Sequence, residues 1–101
     1  MEITTKQNED NVVIAITGAV NTDATERLRA ELVKIVKQRP ENVVMDLSLV
    51  PTIGSAGIGK ILVFYKELDK NKIGFEIKGI HENLYKIFKS IKLNKIITIT
   101  K

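Results

Sequence analysis

The run Asn42-Val43-Val44-Met45-Asp46-Leu47 constrains this chain most. It is too short for a typical helix and too continuously apolar for an edge strand, so it reads as the central strand of a sheet covered by helices. Helical spacing lies on either side of it. From Asn21 or Thr22, the residues Ala24, Leu28, Leu32, Ile35 and Val36 recur on one face while Glu26, Arg27, Arg29, Glu31, Lys34 and Lys37 fill the other, and the pattern stops before Pro40. After a loop holding Pro51 and Gly54, the residues Ile58, Ile61, Leu62, Tyr65 and Leu68 resume the helical period. A strand held between two amphipathic helices implies βαβ crossovers.

The remaining segments extend the same alternation. Ile3-Thr4-Thr5, a polar turn at Gln7-Asn8-Glu9-Asp10-Asn11 and the run Val12-Val13-Ile14-Ala15-Ile16 predict a strand, a turn and a second strand. Asp69-Lys70-Asn71-Lys72 ends the second helix, and Ile73 to Gly79 reads as a strand covered mainly on one face. Leu84, Ile87, Phe88 and Ile91 form a third helical stripe before a last short strand, Ile96-Ile97-Thr98-Ile99. The expected order is β-β-α-β-α-β-α-β: an α/β fold with a mostly parallel central sheet and an antiparallel N-terminal strand, in one domain over residues 1–101.

Composition removes several kinds of chemistry. There are no cysteines, so disulfides, thiolate metal sites and cysteine nucleophiles are excluded. The opening Met1-Glu2-Ile3-Thr4-Thr5-Lys6 lacks the basic flank and apolar run of a secretory signal, and a cytoplasmic protein is expected. The formal net charge of +4 comes from 16 basic residues interleaved with 12 acidic ones, which blunts a continuous positive field. Lys86, Lys89, Lys92 and Lys95 recur every third residue, either as a solvated helix face or as a ridge for an anionic partner. With so few aromatics nearby, nucleic acid is not an expected partner. His81 stands beside Glu82 and Asn83 with no second ligand at metal spacing, so it reads as part of a solvated turn. No cofactor, metal site or catalytic set is expected, and catalysis is not the expected activity.

The unusual stretch is Val50-Pro51-Thr52-Ile53-Gly54-Ser55-Ala56-Gly57-Ile58-Gly59. Glycines in the first turns of a helix cost about 1 kcal/mol each relative to alanine. They serve either close packing of the helix or an open helix start that a partner can approach. Ser55 reads first as an N-cap, since serine is among the residues favoured there; the lesser alternative is a hydroxyl that carries a phosphoryl group favoured by the helix dipole.

The segment from Val43-Val44-Met45-Asp46-Leu47-Ser48 through Ile53-Gly54-Ser55-Ala56-Gly57-Ile58-Gly59 resembles the signature of STAS domains, in which a DLS strand leads to a D-S-[ST/A]-G-[LI]-G helix start. Val13 to Gly18 resembles the second strand of that family, and Leu84 to Ile99 its last helix and strand. The resemblance to bacterial anti-sigma factor antagonists implies binding to an anti-sigma factor that is also a serine kinase, with Ser55 as phosphoacceptor. It implies a docking face of Gly18, Asn21, Thr22, Gly54, Ser55, Ala56, Gly57 and Ile58. Two departures from the family fall in the site: Gly54 stands where it carries an acidic residue, and Gly18-Ala19-Val20-Asn21 replaces a G-E-[LI]-D turn, with Ala19 and Asn21 at its two acidic positions. Asp23 and Asp46 read as structural, one at a helix start and one holding a turn. The alternative is a STAS subunit of a signalling or lipid-transport assembly that binds without being phosphorylated.

Overall fold

The β-branched residues of the second and third strands pair with each other and carry the rest of the sheet. The computed structural model describes residues 1–101. Strands β1 (Glu2–Asn8), β2 (Asn11–Thr17), β3 (Asn42–Leu49), β4 (Gly74–Lys78) and β5 (Thr98–Ile99) lie in the spatial order β1-β2-β3-β4-β5. The first pair is antiparallel and the other three are parallel. Helices α1 (Thr25–Gln38), α2 (Ser55–Lys70) and α3 (Glu82–Ser90) connect the parallel strands. This is the expected order, and β3 is the central strand.

Each crossover steps to the next strand in the same direction. Right-handed connections that all step one way place all their helices on one face of the sheet. Val43, Met45 and Leu47 of β3 point into that layer and are almost fully buried, while Val44 and Asp46 on the opposite face are half-buried. The sequence reading of β3 as a helix-covered strand therefore holds for one face only. Around Val44 and Asp46 the open face carries Thr4, Lys6, Glu76 and Lys78.

Under the helices, 22 apolar residues form one core. α1 contributes Leu28, Leu32 and Ile35, and its buried Thr25 hydroxyl donates to the Thr22 carbonyl at 2.7 Å, so that no polar atom there is left unpaired. Phe64 of α2 meets Phe75 of β4 edge to face, with ring centroids 5.3 Å apart. α1 stops at Arg39, which takes a left-handed conformation before Pro40.

Three boundaries differ from expectation. A single 3-10 turn, Thr22–Ala24, precedes α1, with the Asn21 side chain accepting from the Ala24 amide at 3.1 Å. α2 begins with Ser55 as its first helical residue, and Gly54 occupies the N-cap. The last strand is two residues instead of four. Lys92 turns left-handed after α3, Leu93–Lys95 form a 3-10 turn, and the Ile97 amide donates back to Leu93 at 2.9 Å, which uses up the start of the expected strand.

A one-sided sheet makes the two faces unequal in energy. Phe88→Ala removes a fully buried ring and is expected to lower the unfolding free energy by about 3–5 kcal/mol. Val44→Ala, on the open face, is expected to cost less than about 1 kcal/mol. Denaturant unfolding of both variants tests this, and comparable losses would require a covering layer over Val44.

Candidate functional site

The site forms where the loops after β2 and β3 meet, at the carboxyl ends of the parallel strands. Gly18 adopts φ +93°, a conformation that disfavours side-chain-bearing residues, and its amide donates to Leu49 O at 2.9 Å. Two residues on, Val20 forms an isolated parallel bridge with Ile53. The Val20 amide donates to Thr52 O, and the Gly54 amide donates to Val20 O, both at 2.9 Å. Val20 and Ile53 are themselves buried. The two loops are thereby clipped together just ahead of α2, and Asn21 and Thr22 stand exposed beside Gly54, Ser55 and Ala56.

This clip decides how α2 starts. Gly54 lies in an extended conformation with its amide spent on Val20, so it takes the N-cap although serine is the better capping residue. Ser55, one residue past the cap, is exposed, and its hydroxyl makes no hydrogen bond within the protein. The sequence expectation of Ser55 as N-cap is thus corrected. The amides of Ser55, Ala56 and Gly57 have no acceptor within the protein, and the first turn of α2 holds no acidic residue. The open positive end of a helix therefore lies at the serine.

The glycines divide between the two roles that the sequence left open. A Cβ on Gly57 would stand 2.9 Å from both Ile53 Cγ2 and Val20 Cγ1, too close for either to remain in place. Gly57 is buried against the clip, so it shapes the surface around Ser55 by packing beneath it. A Cβ on Gly59 would meet nothing within 4 Å, which leaves bare backbone one helical turn beyond Ser55. Ile58 is half-buried beside it. At Gly54 a Cβ would touch only Val20 O at 3.8 Å, an ordinary contact, so the position has room for a side chain.

Leu49 borders this surface and was not expected to. At 65% exposure it is the most exposed large apolar side chain of the protein. It follows Val43, Met45 and Leu47 at strand spacing, which predicts burial. The pairing of β2 with β3 slips between Ala15↔Asp46 and Thr17↔Leu49, so β3 contains one extra residue and Leu49 turns outward. A bulge depends on two strands together, and only an apolar residue just past the expected end of β3 hints at it in the sequence.

Asp46 and His81 brace the loops, as expected for one of them. The Ser48 amide donates to Asp46 Oδ1 at 2.9 Å, and this bond above all holds the carboxyl below its ordinary value. Asp46 therefore secures the turn, as its sequence position predicted. His81 does more than occupy a solvated turn: its Nδ1 accepts from the Leu84 amide at 3.5 Å to cap α3, and its Nε2 lies 3.0 Å from Pro51 O, so the loop leading to Ser55 is tied to α3.

The family model of the STAS domain matches residues 2–101. The chain belongs to the STAS domain family. Over 68 residues this STAS domain is 32% identical to BtrV of Bordetella bronchiseptica, which carries the name of an anti-sigma factor antagonist; the match covers 67% of this chain and 59% of that protein's length. An anti-sigma factor antagonist from Mycobacterium paratuberculosis superposes with a TM-score of 0.89 at 19% identity, over 98% of this chain and 84% of that one. The Bacillus cell fate determinant SpoIIAA in its phosphorylated form superposes with a TM-score of 0.78 at 18% identity, over 99% of this chain and 92% of that one. At these identities the two structures establish that the fold is shared.

Two experiments test the construction of the site. Gly57→Ala is expected to destabilise the STAS domain by about 1–3 kcal/mol through overpacking, whereas Gly59→Ala is expected to stabilise it by up to about 1 kcal/mol. Thermal unfolding compares them, and two effects of the same sign would contradict the packing described. For Asp46 the folded pKa is depressed, so its contribution is complete above the unfolded value near pH ~3.9 and is lost as pH falls through the lower folded value. The stability gap between the wild type and Asp46→Asn is accordingly expected to be constant near neutrality and to shrink below about pH 4. Denaturant titrations across that range check it.

Proposed function

We propose that this STAS domain is a cytoplasmic, non-catalytic regulator of the anti-sigma factor antagonist type. It docks on an anti-sigma factor with serine kinase activity through the clipped loops and the start of α2. Phosphorylation of Ser55 ends the association. The observation that carries this reading is the exposed Ser55 hydroxyl, which makes no capping bond at the open start of a helix. A serine whose only role was to cap would have its oxygen on a backbone amide. Exposed Gly54 and Ala56, bare Gly59 and outward-facing Leu49 give a partner close access to backbone and an apolar contact beside the hydroxyl.

The switch needs no refolding. A phosphoryl group on Ser55 would bring about −1.5 to −2 charges into the docking face. The dipole and free amides of α2 favour it in the free domain. In the complex the same charge must be desolvated against the partner. A penalty of about 3–4 kcal/mol weakens binding several-hundredfold.

A second reading keeps the docking face and omits the modification, as in a constitutively bound subunit of a signalling or lipid-transport assembly. It is favoured by Gly54, which offers no carboxylate beside Ser55, and by Asn21, whose side chain is engaged with the Ala24 amide. Site-resolved mass spectrometry of the protein from its own cells under phosphatase inhibition, with Ser55→Ala and Gly54→Asp variants, separates the two. The switch reading expects a phosphoryl group on Ser55, absent in Ser55→Ala and more abundant in Gly54→Asp. An unmodified Ser55 in every growth and stress condition would leave the constitutive subunit.

A further inference from the structure

The interleaving of opposite charges read from the sequence holds over residues 1–78 and fails over residues 79–101. Residues 79–101 hold five lysines and a single carboxylate, Glu82, whereas residues 1–78 hold 11 cations and 11 carboxylates. The whole formal charge of +4 thus belongs to the last quarter of the chain. Glu82 is itself occupied by Lys101, 2.8 Å away. Lys86, Lys89, Lys92 and Lys95 are exposed and make no ion pair.

The same segment carries apolar side chains on the outside. Half of the large exposed hydrophobic residues of the protein lie here: Ile87 at 44%, Ile91 at 51% and Ile96 at 48% exposure. Phe88, Leu93 and Ile97 turn inward and anchor the segment to the core. Between residues 86 and 96 the exposed positions are lysines, isoleucines and Ser90, with no acidic residue among them. α3 runs back from the carboxyl end of β4 and the chain then enters β5 in parallel. The end of α3 and the turn after it consequently lie at the amino ends of the strands, the opposite end of the sheet from Ser55.

We propose that this lysine–isoleucine ridge docks on the surface of a bilayer containing anionic lipids. Four lysines that make no ion pair, with Glu82 as the one carboxylate near them and that already bonded to Lys101, match the charge cluster that such a surface attracts. Their alkyl stems can lie along the boundary while the ammonium groups reach the headgroups, and the half-exposed isoleucines enter the apolar edge. The composition fits lipid better than a protein or a nucleic acid. The ridge has no arginine to grip carboxylates or phosphates with paired bonds. It also has no free ring for a base to stack on, since Phe88 is buried and Lys101 Nζ lies 4.7 Å over the ring of Tyr85. Docked in this way, the domain would hold its Ser55 face away from the membrane.

The test is flotation of the full chain with vesicles of phosphatidylcholine alone, or of phosphatidylcholine and phosphatidylglycerol in equal parts. Binding is expected only to the anionic vesicles and is expected to weaken as salt rises. Lys86→Gln with Lys89→Gln should lower partitioning about thirtyfold, and Ile87→Ser with Ile91→Ser should also lower it. Lys6→Gln with Lys66→Gln removes the same net charge elsewhere and should change it no more than a few-fold. All of these substitutions fall on exposed side chains, and circular dichroism confirms that each variant is folded. Failure to float with anionic vesicles, equal binding to neutral ones, equal losses in the two lysine pairs, or preferential binding to duplex DNA in competition would each overturn the proposal.

Discussion

Helix α2 can start where it does only because Gly57 has no side chain. The Val20·Ile53 bridge brings two loops into one layer, and α2 settles directly on the methyl groups of those two residues. The position of Ser55 follows from that contact, as does its role as first helical residue. Any larger residue at 57 would lift the helix from the clip and separate the surfaces on either side of it. The site is therefore a property of packing between loops that lie more than thirty residues apart in the sequence.

Sheet handedness supplies the platform for this contact. Three crossovers of one hand stepping in one direction put every helix on the same side, and they bring the starts of α1 and α2 to the same end of the sheet. The clip joins those two starts. Asp46 and His81 then fix the chain at two points ahead of α2, one through the Ser48 amide and the other through the Pro51 carbonyl. The surface is thus held from three directions, with the exposed Ser55 at the start of α2 within it.

Much of this was legible in the sequence because the signals are local. The period of α1 and its stop before Pro40, the central position of β3, and the Asp46 turn all depend on residues close to one another along the chain. What escaped depends on tertiary partners. Serine outranks glycine as a cap, yet the Gly54 amide is taken by Val20 and the cap moves back one residue. Gly57 and Gly59 look alike as letters, and only the atoms across from them separate a packing glycine from an open one. Val44 lies in an unbroken apolar run and so resembles a residue covered on both sides, although nothing covers its face. Leu49 is turned outward by an extra residue that exists only relative to β2.

The two outer strands have a consequence for how the protein behaves at high concentration. An unpaired strand edge is a template for the next molecule, and long flat apolar edges polymerise. Here one edge, β5, is only two residues long, and the other, β1, is lined with Thr4, Thr5, Lys6, Gln7 and Asn8, all exposed. β5 gives a second copy little to pair with, and β1, although seven residues long, gives it little apolar surface to bury. A short edge on one side and a polar, charged one on the other both disfavour growth of the sheet from molecule to molecule.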